Sequence, residues 1–117
     1  MVGNKVEEVG LTEEEKDILR ELKDSLTDFL DNSLLKIVLF GSKARGDYDE
    51  QSDIDLAVIV QRLTREKKRD ILDIVADLEI KYLIILSVIV FSEEEFNRLK
   101  QQERRLVLDI EKEGIIL

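Results

Sequence analysis

The 117 residues of this chain include no cysteine and no histidine. The first absence excludes disulfides and thiolate metal sites. The second removes the commonest general base and the commonest zinc ligand, so any bound metal should be a hard cation held by oxygen. Aromatic residues make up only 5%, so a core must be built mostly from Leu, Ile and Val. The apolar fraction of 44% suffices for one core, and the length suggests a single domain over 1–117. No apolar run reaches membrane-spanning length and no signal peptide stands out, which predicts a soluble, cytoplasmic protein. Basic residues are outnumbered: 18 Lys and Arg face 27 Asp and Glu, for a net charge of −9. A sequence-independent nucleic-acid binder neutralises phosphates with a basic surface, so direct nucleic-acid binding is not expected.

What is present concentrates in one stretch. An apolar run over 34–40, interrupted only by Lys36, leads into Phe40-Gly41-Ser42-Lys43-Ala44-Arg45-Gly46. A polar gap follows, then Ser52-Asp53-Ile54-Asp55-Leu56 and a second apolar run to Val60. The runs read as two strands joined by a loop with a helical turn around Ala44. Asp53 and Asp55 stand two apart at the start of the second strand, so both carboxylates fall on one face. Two such charges repel unless a cation lies between them. Mg²⁺ suits the pair, because it takes one or two protein carboxylates together with substrate phosphates. Gly41 and Gly46 allow close approach of backbone to a phosphate, and turned loops present N–H groups to anions. No Gly-Lys-Ser/Thr closes the loop, so it is not a Walker A motif. A Gly-Ser or an Asp-x-Asp alone would be an ordinary turn; their combination between two strands is far more restrictive.

The rest of the chain supplies a frame. Thr12 and Glu15 form a capping-box pattern, and Ile18, Leu19, Leu22, Leu26, Phe29 and Leu30 recur at helical spacing up to Asp31-Asn32-Ser33. In the second strand Ile54, Leu56, Val58 and Val60 share one face, and Asp53, Asp55, Ala57 and Ile59 the other. Residues 61–81 read as a helix with Thr64 as a candidate cap and Ile71, Leu72, Val75 and Leu78 as its buried stripe. The basic cluster at 62–69 reads as a solvated helix face. Residues 82–91 are almost wholly apolar and rich in β-branched side chains, and read as a strand buried on both faces. Ser92 and Glu95 open a last helix with Phe96, Leu99, Leu106 and Ile110 inward, a break near 101–103 and Gly114 at its end. Residues 115–117 read as a short edge strand, and 1–10 as a loose segment. The expected fold class is α/β (α+β), a small mixed sheet of three to four strands flanked by helices.

The loop Gly41-Ser42-Lys43-Ala44-Arg45-Gly46 followed by Ser52-Asp53-Ile54-Asp55-Leu56 resembles the signature of the DNA polymerase beta-like nucleotidyltransferase superfamily. The small size and the Ala-Arg-Gly resemble its minimal nucleotidyltransferase (MNT) branch. The resemblance implies that Gly41 and Ser42 hold a nucleoside triphosphate and that Asp53 and Asp55 are catalytic Mg²⁺ ligands. It implies transfer of a nucleoside monophosphate, with AMP from ATP as the expected case, to a hydroxyl on a partner protein or small molecule. Arg45 has two readings, a phosphate contact or a clamp on the loop acids Asp47 and Asp49. Tyr48 is either a stacking platform for a base or simply exposed. Small proteins of this branch often work with a separate HEPN-domain protein as the antitoxin of a toxin–antitoxin pair, so such a protein is the implied partner. Long apolar strands also leave room for a homo-oligomer.

The chain departs from the pattern in one place. Active members typically carry a third carboxylate on a later strand. The expected strand over 82–91 contains no Asp or Glu, and Ser87 lies roughly where the acid would be. A hydroxyl is a poor base and a weak metal ligand. Two readings follow. Catalysis proceeds with two acids, or with a carboxylate from Glu79, Glu93 or a partner subunit. Alternatively, the protein is catalytically impaired and serves as a partner-binding, antitoxin-like module or a nucleotide-binding one.

Overall fold

The computed structural model describes residues 11–46 and 53–117. The elements run α1 (Glu13–Leu30), a single 3-10 turn (Asp31–Ser33), β1 (Leu34–Phe40), α2 (Ser42–Arg45), β2 (Ile54–Val60), α3 (Arg65–Tyr82), β3 (Leu86–Ser92), α4 (Glu93–Gln101), α5 (Arg105–Glu113) and β4 (Ile115–Ile116). Among the described residues the strands form one mixed sheet in the order β3-β2-β1-β4. β1 pairs antiparallel with β2 and with β4, whereas β3 lies parallel to β2 and is reached by the α3 crossover. The α/β class with a four-stranded mixed sheet is the one expected from the sequence.

Alternation along the strands sorts the side chains into two cores. Ile37 and Leu39 of β1, the even-numbered residues of β2, and Leu86 and Val90 of β3 pack with the inward stripes of α1 and α3. Val38, Phe40, Ala57, Ile59 and Phe91 face the other way, against Phe96 of α4 and Val107 and Ile110 of α5. Phe91 and Phe96 meet edge to face, with ring centroids 5.4 Å apart. Thr12 and Ser92 both cap helices as expected, the first with the full box: Thr12 Oγ1 accepts from the Glu15 N–H while Glu15 Oε1 accepts from the Thr12 N–H, whereas at the second Ser92 Oγ accepts from the Glu95 N–H.

Four expectations need correction. The apolar run 82–91 is not one strand buried on both faces. Tyr82 ends α3, Leu83 turns with φ 55, and β3 begins only at Leu86 as an edge strand. Tertiary bonds override local β propensity here: Lys81 Nζ and the Tyr82 hydroxyl both donate to Glu21 of α1 at 2.9 Å, and Glu79 Oε2 accepts from the Leu86 N–H at 2.8 Å. Leu83 and Ile85 are consequently 89% and 71% exposed. The helix expected from 61 starts at Arg65, because Thr64 caps it by accepting from the Lys67 N–H. Leu72 is exposed, about 100° around the helix from Ile71, which faces the sheet. The expected break near 101–103 does form, between α4 and α5 with Glu103 at φ 56, but Leu106 does not face inward. That break resets the helical phase, so Val107 and Ile110 point inward and Leu106 outward.

Gly114 ends α5 as expected, but not through a left-handed conformation; its φ is −71. A Cβ there would run into the Ile110 carbonyl group and Val38 Cγ1, so glycine lets the chain turn tightly against β1.

Candidate active site

The hairpin register fixes where the expected site residues meet. Phe40 pairs with Asp55 across β1 and β2, so Gly41, the next residue, lies beside the Asp55 carboxylate. Gly41 has φ 75 and ψ −158, a region open essentially to glycine alone. A Cβ at this position would lie 3.2 Å from Asp55 Cγ and closer still to Oδ2. The space a side chain would take is thus taken by the carboxylate. Beyond Gly41 the chain coils into the single turn α2: the N–H groups of Ala44 and Arg45 donate to the Gly41 carbonyl at 3.1 Å, and the Gly46 N–H to the Ser42 carbonyl at 2.9 Å. Ser42 opens this turn and is half-buried.

Asp53 is exposed just before β2, and Asp55 is half-buried within it, on the sheet face that carries α4 and α5. Burial pushes the Asp55 carboxyl above the usual carboxylate range, and the neighbouring Asp53 charge adds to this; a hydrogen bond from Ser87 and the Arg45 cation oppose it. Ser87 stands directly opposite Asp55 in the parallel β2–β3 ladder, on the same face. Ser87, expected from the resemblance to lie roughly where a third acid would be, thus brings a hydroxyl rather than a charge to the side of Asp55.

Neither substitute carboxylate on this chain reaches the pair. Glu79 is engaged at the Leu86 N–H and belongs to α3, on the opposite face of the sheet. Glu93 follows Ser92, which pairs with Val60, five residues along β2 from Asp55 and so about 17 Å away. Among the described residues no group of three Asp, Glu, His or Cys could hold a metal together. Among the described residues the donor set is two carboxylates, an all-oxygen pair that suits a hard divalent cation completed by phosphate and water. The raised Asp55 carboxyl is consistent with this: a cation beside Asp53 and Asp55 would relieve the cost of ionising both.

Arg45 closes α2 with its guanidinium 3.2 Å from Glu113 at the end of α5. Both side chains are part-exposed, which makes this a weak tie by itself. The alternative clamp on Asp47 and Asp49, the stacking role of Tyr48, the position of Ser52 and the expected looseness of residues 1–10 lie outside the described residues. Sequence reasoning missed the other side of the turn. Lys43 is 2% exposed and its Nζ lies 2.9 Å from Glu15 Oε2 on α1. Glu15 announced itself only as a capping residue, and nothing in the local pattern links two positions 28 residues apart.

With this geometry in view, the comparisons with known proteins converge. Residues 16–117 match the nucleotidyltransferase domain family. A Methanocaldococcus jannaschii protein named "Putative protein adenylyltransferase MJ0141" is 38% identical over 76 residues, 64% of this chain and 77% of that protein. A second protein of that organism, MJ0604, carries the same description and is 36% identical over 85 residues, 72% of this chain and 80% of its own length. A solved structure described as a "putative minimal nucleotidyltransferase" superposes with a TM-score of 0.54 at 24% identity, over 92% of this chain and 99% of that one, and so shares the fold. Family match, relatives and fold agree: the chain belongs to the nucleotidyltransferase domain family.

Proposed function

We propose that this protein transfers a nucleoside monophosphate, AMP by preference, from a nucleoside triphosphate to a hydroxyl group on a partner protein. One observation supports the reading: the Gly41–Ser42 turn meets the acidic segment at Asp55, whose carboxylate occupies the space left by the glycine. In this reading the backbone of Gly41 and Ser42 receives the triphosphate, and Arg45, at the open end of the same turn, leaves Glu113 for a phosphate oxygen. Asp53 and Asp55 would hold Mg²⁺, which when bound neutralises charge on the attacking and leaving oxygens. Ser87, beside Asp55 in the ladder, favours the ionised form of that carboxylate. The acceptor oxygen forms a bond to the α-phosphorus, the bond from that phosphorus to the bridging oxygen breaks, and pyrophosphate leaves. The hydroxyl proton passes to solvent. Most of the catalysis is positioning and charge neutralisation, so a site with two acids remains chemically sensible.

The choice of AMP and of a protein acceptor rests on what the two M. jannaschii relatives are named for. A HEPN-domain protein, with this chain as its antitoxin, is the acceptor that the loop signature suggests. The second reading, a binding module without turnover, is favoured by the hydroxyl of Ser87 standing where a third carboxylate would complete the site. One assay separates them. The protein is incubated with each α-labelled nucleoside triphosphate, Mg²⁺ and its co-expressed partner, beside Asp53→Ala/Asp55→Ala. The expected outcome is label on the partner, strongest from ATP and absent with the double variant. A wild-type protein that binds its partner but transfers nothing would leave the binding-module reading standing.

A further inference from the structure

The Gly41–Ser42 turn has almost no structure of its own. α2 is four residues long, too short to be stable as an isolated helix. What holds it must come from outside, and among its side chains Lys43 is the buried one. Among the described residues Lys43 is also the buried charged group, and the proposed chemistry does not use it. Its ammonium points away from Asp55 and into the first turn of α1, where Glu15 Oε2 accepts at 2.9 Å. Glu15 is held in turn: its Oε1 accepts from the Thr12 N–H at 2.9 Å, and its own N–H donates to Thr12 Oγ1 at 3.0 Å. Glu15 therefore joins the cap of α1 to the phosphate turn. It stands one residue ahead of the part of the chain that matches the family, 16–117.

We infer that Glu15 is a positioning residue for nucleotide binding. Acting through Lys43, it fixes the turn in the orientation that presents the Gly41–Ser42 backbone to the triphosphate. This rests on the nucleotidyltransferase reading of that turn. A buried ammonium deprived of its carboxylate is strongly unfavourable, whereas an apolar pair of similar volume is tolerated. Removing the charge of Glu15 alone takes a 2.9 Å carboxylate partner from the buried Lys43 ammonium and loosens the hold of α1 on α2. The Arg45–Glu113 pair on the other side is part-exposed and so contributes little to holding the turn. Removing both charges leaves the turn in place.

The test compares wild type, Glu15→Gln, Lys43→Met, Glu15→Gln/Lys43→Met and, as a control for the cap alone, Thr12→Ala. Glutamine keeps the acceptor for the Thr12 N–H and is the mildest change. Two readouts are followed: hydrogen exchange of the Ala44, Arg45 and Gly46 amides, and affinity for a fluorescent ATP analogue with Mg²⁺. E15Q is expected to accelerate exchange at those three amides and to weaken nucleotide binding by about ten-fold, with the double variant recovering most of both. T12A is expected to lower stability without moving nucleotide affinity. Wild-type exchange and affinity in E15Q would overturn the inference, as would a double variant no better than the single one. If wild type binds no nucleotide while E15Q still loosens the turn, the nucleotide reading falls and the hold of Glu15 on the turn stands. If wild type binds and E15Q changes neither readout, the positioning role falls and the nucleotide reading stands.

Discussion

Alanine at position 41 meets two separate obstacles. The first is backbone conformation: φ 75 with ψ −158 is essentially reserved for glycine, and holding another residue there costs about 1–3 kcal/mol. The second is space. The new Cβ would stand 3.2 Å from Asp55 Cγ and nearer to Oδ2, so the carboxylate or the turn must shift, an overpacking cost of about 1–3 kcal/mol. Together Gly41→Ala should lose about 2–6 kcal/mol of stability. Gly46→Ala is the internal control. Its φ of 82 and ψ of 9 are left-handed but nothing lies within 4 Å of its Cβ, so it should lose only about 1–2 kcal/mol. Urea denaturation of both variants measures the difference. Adding Asp55→Ala removes Cγ and Oδ2 and with them the steric part, so G41A/D55A should be more stable than the sum of its single changes by about 1–2 kcal/mol. A G41A variant no less stable than G46A, or a cycle without coupling, would refute the idea that Gly41 is glycine because the Asp55 carboxylate fills its place.

Further outcomes follow from the same structure. Asp55 has a raised carboxyl in the folded state, so its contribution to stability is present at acidic pH and is lost as pH rises through that raised value. Asp55→Asn should therefore stabilise the metal-free protein at neutral pH while abolishing transfer, and the gap in urea midpoint should close below the usual carboxylate range. For Glu15 the sign reverses. Burial would raise its carboxyl, but the Thr12 N–H and the Lys43 ammonium outweigh burial and lower it beneath 4.5; its stabilisation is present above that value and lost as pH falls through the lowered one. Denaturation midpoints from neutral pH down into the acid range should fall more steeply for wild type than for E15Q. Leu22, fully buried on the inner face of α1, should cost about 2–5 kcal/mol on change to alanine. Leu83→Ser, at an 89% exposed position, should change stability by less than about 0.5 kcal/mol.

Much of this fold could be read from the chain because its signals are local. The period-two alternation of β2 sorts Ile54, Leu56, Val58 and Val60 from Asp55, Ala57 and Ile59, and the two cores observe that division. Thr12, Thr64, Ser92 and Gly114 mark helix ends through bonds or turns made within a few residues. The errors came where distant residues decide. Nothing within 82–91 announces that Glu21, some sixty positions earlier, draws Lys81 and Tyr82 into the last turn of α3. Nor does that run say that its strand lies at the edge of the sheet. At the candidate site, the proximity of Gly41 to Asp55 follows from a hairpin and was foreseeable. The Lys43–Glu15 pair crosses between α1 and α2 and was not. Ser87 is the intermediate case: its absence of charge was plain from the sequence, and only the β2–β3 register shows that it stands directly beside Asp55.

The central claim is that one turn and two carboxylates form a metal-dependent nucleotide site. Titration calorimetry of wild type and Asp53→Ala/Asp55→Ala with ATP, with and without Mg²⁺, tests it most directly. The account expects wild type to bind ATP tightly only when Mg²⁺ is present, and the double variant to lose that binding while remaining folded. Equal, Mg²⁺-independent binding by both proteins, or no binding by wild type, would contradict it.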